Sequence, residues 1–259
     1  MIEANYLYNI ECKRMFDCWS KPEVDTPNLL IIQPKNGGVG CDYFVMSLAK
    51  AFHKKSGNKR SFKRSFLSLR YSKDFSEHEM KLFFDSPRLF IENYNCFNGT
   101  LCINVSDCVQ AIDYPAFNKL LDFINTNKKD TKFIFIVDSD EKESAIPLYD
   151  SLKRHIRIAR MTMEYFDVKT YLDFALEMLK KHNLPVESNA DGELMGYLET
   201  LTGKADFAGY DSVIRLIEDL VFESRLENIT VLTSDILENM KNDLIIADKS
   251  INHIRKIGF

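Results

Sequence analysis

The segment that most restricts the possible folds runs from Asn28 to about residue 53. Asn28-Leu-Leu-Ile-Ile-Gln33 has no polar residue between its ends, so it reads as a strand buried on both faces. It leads into Pro34-Lys-Asn-Gly-Gly-Val-Gly-Cys-Asp42 and then a helical pattern over 42–53, with Val45, Leu48, Ala49 and Phe52 on one face. A buried strand joined through glycines to an amphipathic helix is half of a βαβ unit, which needs parallel neighbours and helices to cover them. The runs 66–71, 100–105, 132–137 and 155–159 supply further strands, and 77–84 and 115–125 supply helical patterns between them. The expected architecture is α/β, a mainly parallel sheet with helices on both faces.

The pattern changes after about Tyr165. Over 167–182 the residues Val168, Tyr171, Leu172, Ala175, Leu176 and Leu179 recur at helical spacing, and 192–202 and 210–225 repeat that period without an intervening strand. A last helix is expected over 234–242, with Ser234 as its N-cap. These readings divide the 259 residues into an α/β domain over 1–166 and a smaller all-α domain over 167–259.

Composition narrows the function classes. With 45% hydrophobic and 28% charged residues the chain has a core to bury, which excludes a disordered tail. Thirty-four Lys and Arg against 38 Asp and Glu give a net charge of -4, so any nucleic-acid contact is local rather than a property of the whole surface. Cys12, Cys18, Cys41, Cys96, Cys102 and Cys108 include no C-x-x-C pair and are expected to be reduced thiols, with no metal bound. No run reaches the roughly 18 apolar residues that cross a bilayer, and the N-terminal residues lack the pattern of a secretory signal. A cytoplasmic protein with no membrane contact is expected. His53, His78, His155, His182 and His253 are scattered, and Asp138-Ser-Asp-Glu141 reads as a solvated turn at a strand end.

The glycine turn sits where a phosphate-binding loop works: glycines let backbone N–H groups and a helix N-terminus converge on an anion. Asn36, Gly37, Gly38, Val39, Gly40, Cys41 and Asp42, followed by Ser47-Leu-Ala-Lys-Ala-Phe52, resemble the Walker A loop and first helix of AAA+ ATPases. Thr100-Leu-Cys-Ile-Asn104 resembles the Walker B strand, Phe133-Ile-Phe-Ile-Val137 the sensor 1 strand, and Leu152-Lys-Arg-His-Ile156 the arginine-finger segment. The helices after 170 resemble the lid of the CbxX-type branch. The Gly-Gly-Val-Gly run is also similar to the loop of the ParA and MinD ATPases, but Asn36 replaces their signature lysine and they lack such a lid. The resemblance implies a P-loop NTPase-like fold followed by a helical lid.

The departures from that pattern bear on function. Cys41 stands where the Walker A lysine belongs and Asp42 where the metal-binding hydroxyl belongs; Asn104 and Val105 occupy the Walker B carboxylate positions, and a shift to Asp107 restores one of them at best. Asp211 falls near the sensor 2 arginine. Only the finger segment keeps cations, with Arg154 the candidate to act on a neighbouring subunit and Lys153 second. Removing one charge-stabilising group costs about 10²- to 10³-fold in rate, and an arginine finger is worth about 10³- to 10⁵-fold. The expectation is an AAA+-like pseudo-ATPase, a non-hydrolysing assembly or regulatory subunit of a homo- or hetero-oligomer, with the loop vestigial and ATP or ADP bound weakly if at all.

Two alternatives stay open: an atypical ATP-binding AAA+ ATPase, and a clamp-loader-like or DNA-anchoring module. The last would use the basic cluster Lys54, Lys55, Lys59, Arg60, Lys63 and Arg64, interleaved with Phe62 and Phe66, to grip phosphates or an acidic partner.

Overall fold

The apolar run from residue 28 is the second-from-edge strand of a five-stranded sheet. In the computed structural model, which describes residues 10–59, 61, 62, 66–70, 78, 81, 85–93, 96, 98–106 and 115–240, β1 (Asn28–Gln33) pairs in parallel with β4 (Thr131–Asp138) on one side and β5 (Ile158–Thr162) on the other. Beyond β4 lie β3 (Gly99–Asn104) and β2 (Phe66–Arg70), also parallel, giving the order β2-β3-β4-β1-β5. The inner strands are buried almost end to end, whereas β5 at the edge is only partly buried. That difference is what a parallel sheet covered on both faces requires.

Successive residues of a strand face opposite layers. On one face Leu30, Ile32, Leu101, Ile103, Phe133 and Phe135 join a core with residues from α3 (Pro87–Asn93), α4 (Pro115–Asn127) and α5 (Ile146–Lys153). Its aromatic chain runs from Phe90 to Phe123, with centroids 5.6 Å apart, then to Phe133 at 6.2 Å and Phe135 at 5.9 Å. The alternate residues Leu29, Ile31, Cys102 and Ile134 are equally buried, and α2 (Cys41–Lys55) packs against β3 and against α1 (Ile10–Ser20). Asn28 fixes the register at the start of β1: its amide donates to the Arg157 carbonyl at 3.0 Å, and its side-chain oxygen accepts from the Phe133 N–H at 2.8 Å.

The chain divides into two compact units, Met1–Glu164 and Tyr165–Phe259. The second contains α6 (Val168–Lys181), α7 (Asp191–Thr202), α8 (Gly209–Leu226) and α9 over 234–240. Asp167 caps α6 by accepting the Thr170 N–H at 2.7 Å, a bond that also lowers its carboxyl pKa. The core of this unit is aromatic: Tyr171, Phe174 and Phe207 cluster around Tyr210 and one another, with ring centroids 4.8–5.5 Å apart. No helix among the described residues is long and apolar enough to cross a membrane.

Several local expectations need correction. The fifth strand is Ile158–Thr162 rather than 155–159, because residues 154–156 fold back on the end of α5 through N–H bonds to Ser151 and Leu152 carbonyls. Ser234 is not the cap of α9. The Thr233 hydroxyl accepts the Ile236 N–H at 3.4 Å, while Ser234, already helical, donates to the Asn189 carbonyl. Helices α1, α3 and α5 had no clear periodicity to announce them. Of the pattern at 77–84 only residues 78 and 81 are described, and Asp107, Cys108 and His253 lie outside the described residues.

A lysine ties the segment before β1 to the helix that covers the sheet. The Lys55 ammonium, at the end of α2, donates to the Cys18 carbonyl at 3.0 Å, the Thr26 hydroxyl at 2.6 Å and the Val24 carbonyl. All three donors of the group are thus committed within the fold. Lys55→Ala is expected to lower the unfolding free energy by about 2 kcal/mol, since it leaves these acceptors without their charged donor; urea denaturation followed by tryptophan fluorescence, with Trp19 as the only tryptophan, measures it.

Candidate functional site

The order of the strands creates a crevice. The crossover from β1 leads to β2 at the far edge, whereas the one from β4 leads over β1 to β5, so the chain departs in opposite directions at the carboxyl ends of β1 and β4. In open α/β sheets that switch point is where ligands bind. The glycine loop leaves β1 here. The Gly37 N–H closes a turn onto the Pro34 carbonyl at 2.9 Å, and Gly37, Gly38 and Gly40 adopt φ of 69°, 68° and 74°, values costly for any side-chain-bearing residue. Val39 is fully buried and pins the loop to the core. Helix α2 then starts with the Phe44 N–H on the Gly40 carbonyl at 3.1 Å.

The backbone of this loop has a geometry that can converge on an anion, and the side chains at 41 and 42 bring no cation to it. Cys41 is 5% exposed, and burial pushes its thiol pKa well up, with the Cys102 thiol and the carboxylates of Asp42 and Asp138 adding to the effect. It is a neutral core residue at the position where the resemblance implies a lysine. Asp42 is exposed in the first turn of α2, where its carboxylate meets the positive end of the helix and so occupies electrically the place of a bound anion. The described residues at this loop do not fit a metal-bound nucleoside triphosphate.

The ends of the neighbouring strands form a closed hydrogen-bond network. Asp138, last residue of β4, accepts the Gln33 side-chain amide on one carboxylate oxygen at 2.7 Å and the Asn104 amide on the other at 2.9 Å. The Asn104 side-chain oxygen in turn accepts the Ser106 N–H and hydroxyl at 3.1 and 2.6 Å, and the Asp138 N–H donates to the Ser106 hydroxyl oxygen at 2.8 Å. Carboxylate and amide have therefore exchanged strands relative to the Walker B and sensor 1 arrangement that the resemblance implies. Val105, at the other carboxylate position, is 0% exposed, and its N–H bonds the Ile136 carbonyl at 2.8 Å. It offers nothing to activate water.

The turn after β4 locks onto the loop: the Ser139 N–H donates to the Gln33 carbonyl at 2.8 Å and the Lys35 N–H to Asp140 Oδ1 at 3.1 Å. Lys35, Asp138, Asp140 and Glu141 are among the residues lining a cleft of about 320 Å³ beside the loop. The Asp138-Ser-Asp-Glu141 segment is thus a structural brace as well as a solvated turn.

Other sequence candidates are dispersed. Arg154 follows the last residue of α5, shortly before β5, and so lies at the amino ends of the strands, the opposite end from the glycine loop, about 20 Å away for six residues at about 3.3 Å each. It is exposed, and its side chain has no partner among the described residues; the Lys153 ammonium lies 5.9 Å from the centroid of the Tyr149 ring. Asp211, in the first turn of α8, belongs to the second unit. Of the basic cluster, Lys54 and Lys59 are exposed and Lys55 is committed to the bonds described above, while Arg60, Lys63 and Arg64 lie outside the described residues. Phe62 and Phe66 stack on each other at 5.7 Å, with His53 against Phe62 at 5.8 Å.

No single sequence motif joins these residues, although they carry one shared signal: Gln33, Asn104 and Asp138 are each the first polar side chain after an apolar strand run.

Solved structures share this architecture. Thermotoga maritima RuvB, a Holliday junction branch migration motor, matches with a TM-score of 0.60 and 11% sequence identity, over 93% of this chain and 69% of that one. An arginine-to-alanine variant of the same protein matches equally, at a TM-score of 0.60. A Bacillus subtilis DNA clamp loader delta protein aligns at 12% identity over 88% of this chain and 61% of its own, with a TM-score of 0.37 that is too low to support an argument. No family model and no curated protein matches the sequence. The likeness is one of fold: the five-stranded parallel sheet with its helices matches the RuvB architecture.

Asn104→Asp tests the exchanged pair. It sets a second carboxylate at hydrogen-bond distance from Asp138, which raises a carboxyl pKa in the folded state and disfavours the doubly charged form. The expected loss is about 1–3 kcal/mol at pH 7. Because the folded-state pKa is raised, the loss is present above it and disappears as the pH falls through it, so unfolding midpoints of variant and parent converge near pH 4 to 5.

Proposed function

We propose that this chain is an AAA+-type module that has kept the architecture and lost the hydrolytic chemistry, and that it works as a non-hydrolysing assembly or regulatory subunit beside copies of itself or an active AAA+ partner. The observation that carries this reading is the end of β3, where an amide already engaged with Asp138 and a buried valine stand in place of the metal-organising and water-activating carboxylates. The buried thiol of Cys41 and the acid at position 42 support it from the other side of the crevice. The helical unit serves as the lid half of the module, of the CbxX type, and the glycine loop is a vestige of the phosphate site.

Arg154 is the residue assigned to a neighbour. Its distance across the sheet rules out contact with the loop of its own chain, and its exposure leaves the guanidinium available to an adjoining subunit. If a partner's nucleotide uses it, Arg154→Ala lowers that partner's ATPase by about 10³-fold or more. The measurement is phosphate release by an AAA+ protein that co-purifies with this chain; an unchanged rate removes the trans role.

One observation favours a second reading, an atypical ATP-binding ATPase: Asp138 keeps a carboxylate at the crevice, one strand removed from the usual position. Calorimetric titration with ATP and ADP in the presence of Mg²⁺, together with a phosphate-release assay, separates the two. The expected result is weak or absent binding and no turnover, with Asp42→Thr strengthening ATP binding because it removes a repelling charge, still without turnover. Mg²⁺-dependent turnover that is lost in Asp138→Ala would decide for the second reading.

A further inference from the structure

A second cleft, of about 350 Å³, opens at the amino ends of the strands, the opposite end of the sheet from the glycine loop, between the end of α2 and the turns that precede β3 and β4. Lys59 comes from the first side, Lys129 and Lys132 from the second, and Asp130 is the one carboxylate in the lining. Asp130 is already neutralised by Arg88, whose guanidinium lies 2.6 Å from its Oδ2. The other carboxylate near these amines, Asp25, is paired with Arg157 at 2.5 Å. Among the described residues these two acids are thus paired, while the Lys59 and Lys129 side chains are exposed and have no ion pair or hydrogen bond among the described residues.

Lys132 sets the floor of this positive field. Its ammonium donates to the Thr26 carbonyl at 2.8 Å, is half-buried, and has a pKa lowered first by burial and then by the charges of Lys55 and Arg157, with Asp25 opposing. The cleft lining itself carries three lysines, Lys59, Lys129 and Lys132, whose like charges an entering anion would offset. Lysine amines, as compact point charges, suit phosphate oxygens without demanding the fork geometry that a guanidinium offers a carboxylate. Phe52, also in the lining, is held edge-on by Trp19 at 5.7 Å, so the cleft presents charge and amide groups with little provision for a stacked base.

We propose that this cleft is a binding site for the repeating phosphates of a polyanionic chain, with single-stranded nucleic acid held by its backbone, independent of sequence, as the expected ligand. The site is separate from the crevice at the glycine loop, and it stands whether or not that crevice binds nucleotide. It differs from the basic cluster expected from sequence, since Lys55 is structural and Lys129 and Lys132 come from a distant part of the chain.

The test uses the whole chain and fluorescence anisotropy with two probes, a labelled oligothymidine of about 20 nucleotides and labelled inorganic polyphosphate, across about 50 to 200 mM salt. Oligothymidine and a mixed-sequence strand are expected to bind alike. A single strand loses about 0.7 in the slope of log affinity against log salt for each contacted phosphate. Lys59→Ala with Lys129→Ala should therefore flatten that slope by about 1.4 and weaken binding about tenfold at 100 mM salt, while Lys169→Ala, an equal loss of charge in the other unit, leaves the slope unchanged. Both lysines are exposed, so circular dichroism of the double variant should match the parent. Lysine-dependent binding of polyphosphate alone would keep the site and assign it to a free polyanion; failure of both probes to bind, or a slope indifferent to the two lysines, overturns the proposal.

Discussion

Everything in the first unit depends on β1 being paired on both sides. A strand of leucine and isoleucine with no polar face is stable only inside a sheet, between parallel neighbours and under helices on both sides. Placing β4 and β5 on its flanks obliges the crossovers to diverge, and divergence opens a crevice at the carboxyl ends whatever side chains are found there. The hydrophobic requirement of four residues thus places β1 inside the sheet, and the strand order around it sets the location of the loop.

That separation of shape from chemistry lets a crevice of this shape carry carboxylates. The cradle is a property of backbone dihedrals at Gly37, Gly38 and Gly40, which the core holds through Val39. The charges come from side chains that packing leaves free to change. Where a phosphate site gathers cations, this one gathers Asp42, Asp138 and Asp140, and the carboxylates bond to the protein's own amides: Asp138 to the side chains of Gln33 and Asn104, Asp140 to the N–H of Lys35. The crevice is braced internally, and its geometry does not depend on a ligand to hold the strand ends together.

Sequence was informative where periodicity is strong. The strand at Asn28–Gln33 and the helices of the second unit were legible because apolar residues repeat there at a period belonging to one kind of element. The expected fifth strand starts too early because residues 154–156 are claimed by the end of α5. Helix α1 was not anticipated, since Cys12 and Trp19 are its only buried residues and they lie seven positions apart, too sparse to set a period. The glycine loop was found from spacing alone. The Gln33–Asp138–Asn104 network was not, because its members meet through a strand order that no local pattern encodes.

The three bonds of the Lys55 ammonium bear on where this domain begins. Its acceptors, Cys18, Val24 and Thr26, all precede the first strand, and Trp19 in the same stretch is completely buried with Phe52 against its edge. The segment from Ile10 to Thr26 is accordingly a wall of the α/β unit, although it adds no strand to the sheet. A chain shortened to start at Asn28 would contain every strand and the whole loop, yet would open the face of α2 and leave a cation at its end without the carbonyls that surround it. The smallest independently folding form of this unit therefore has to start upstream of its sheet, at the helix that covers Phe52.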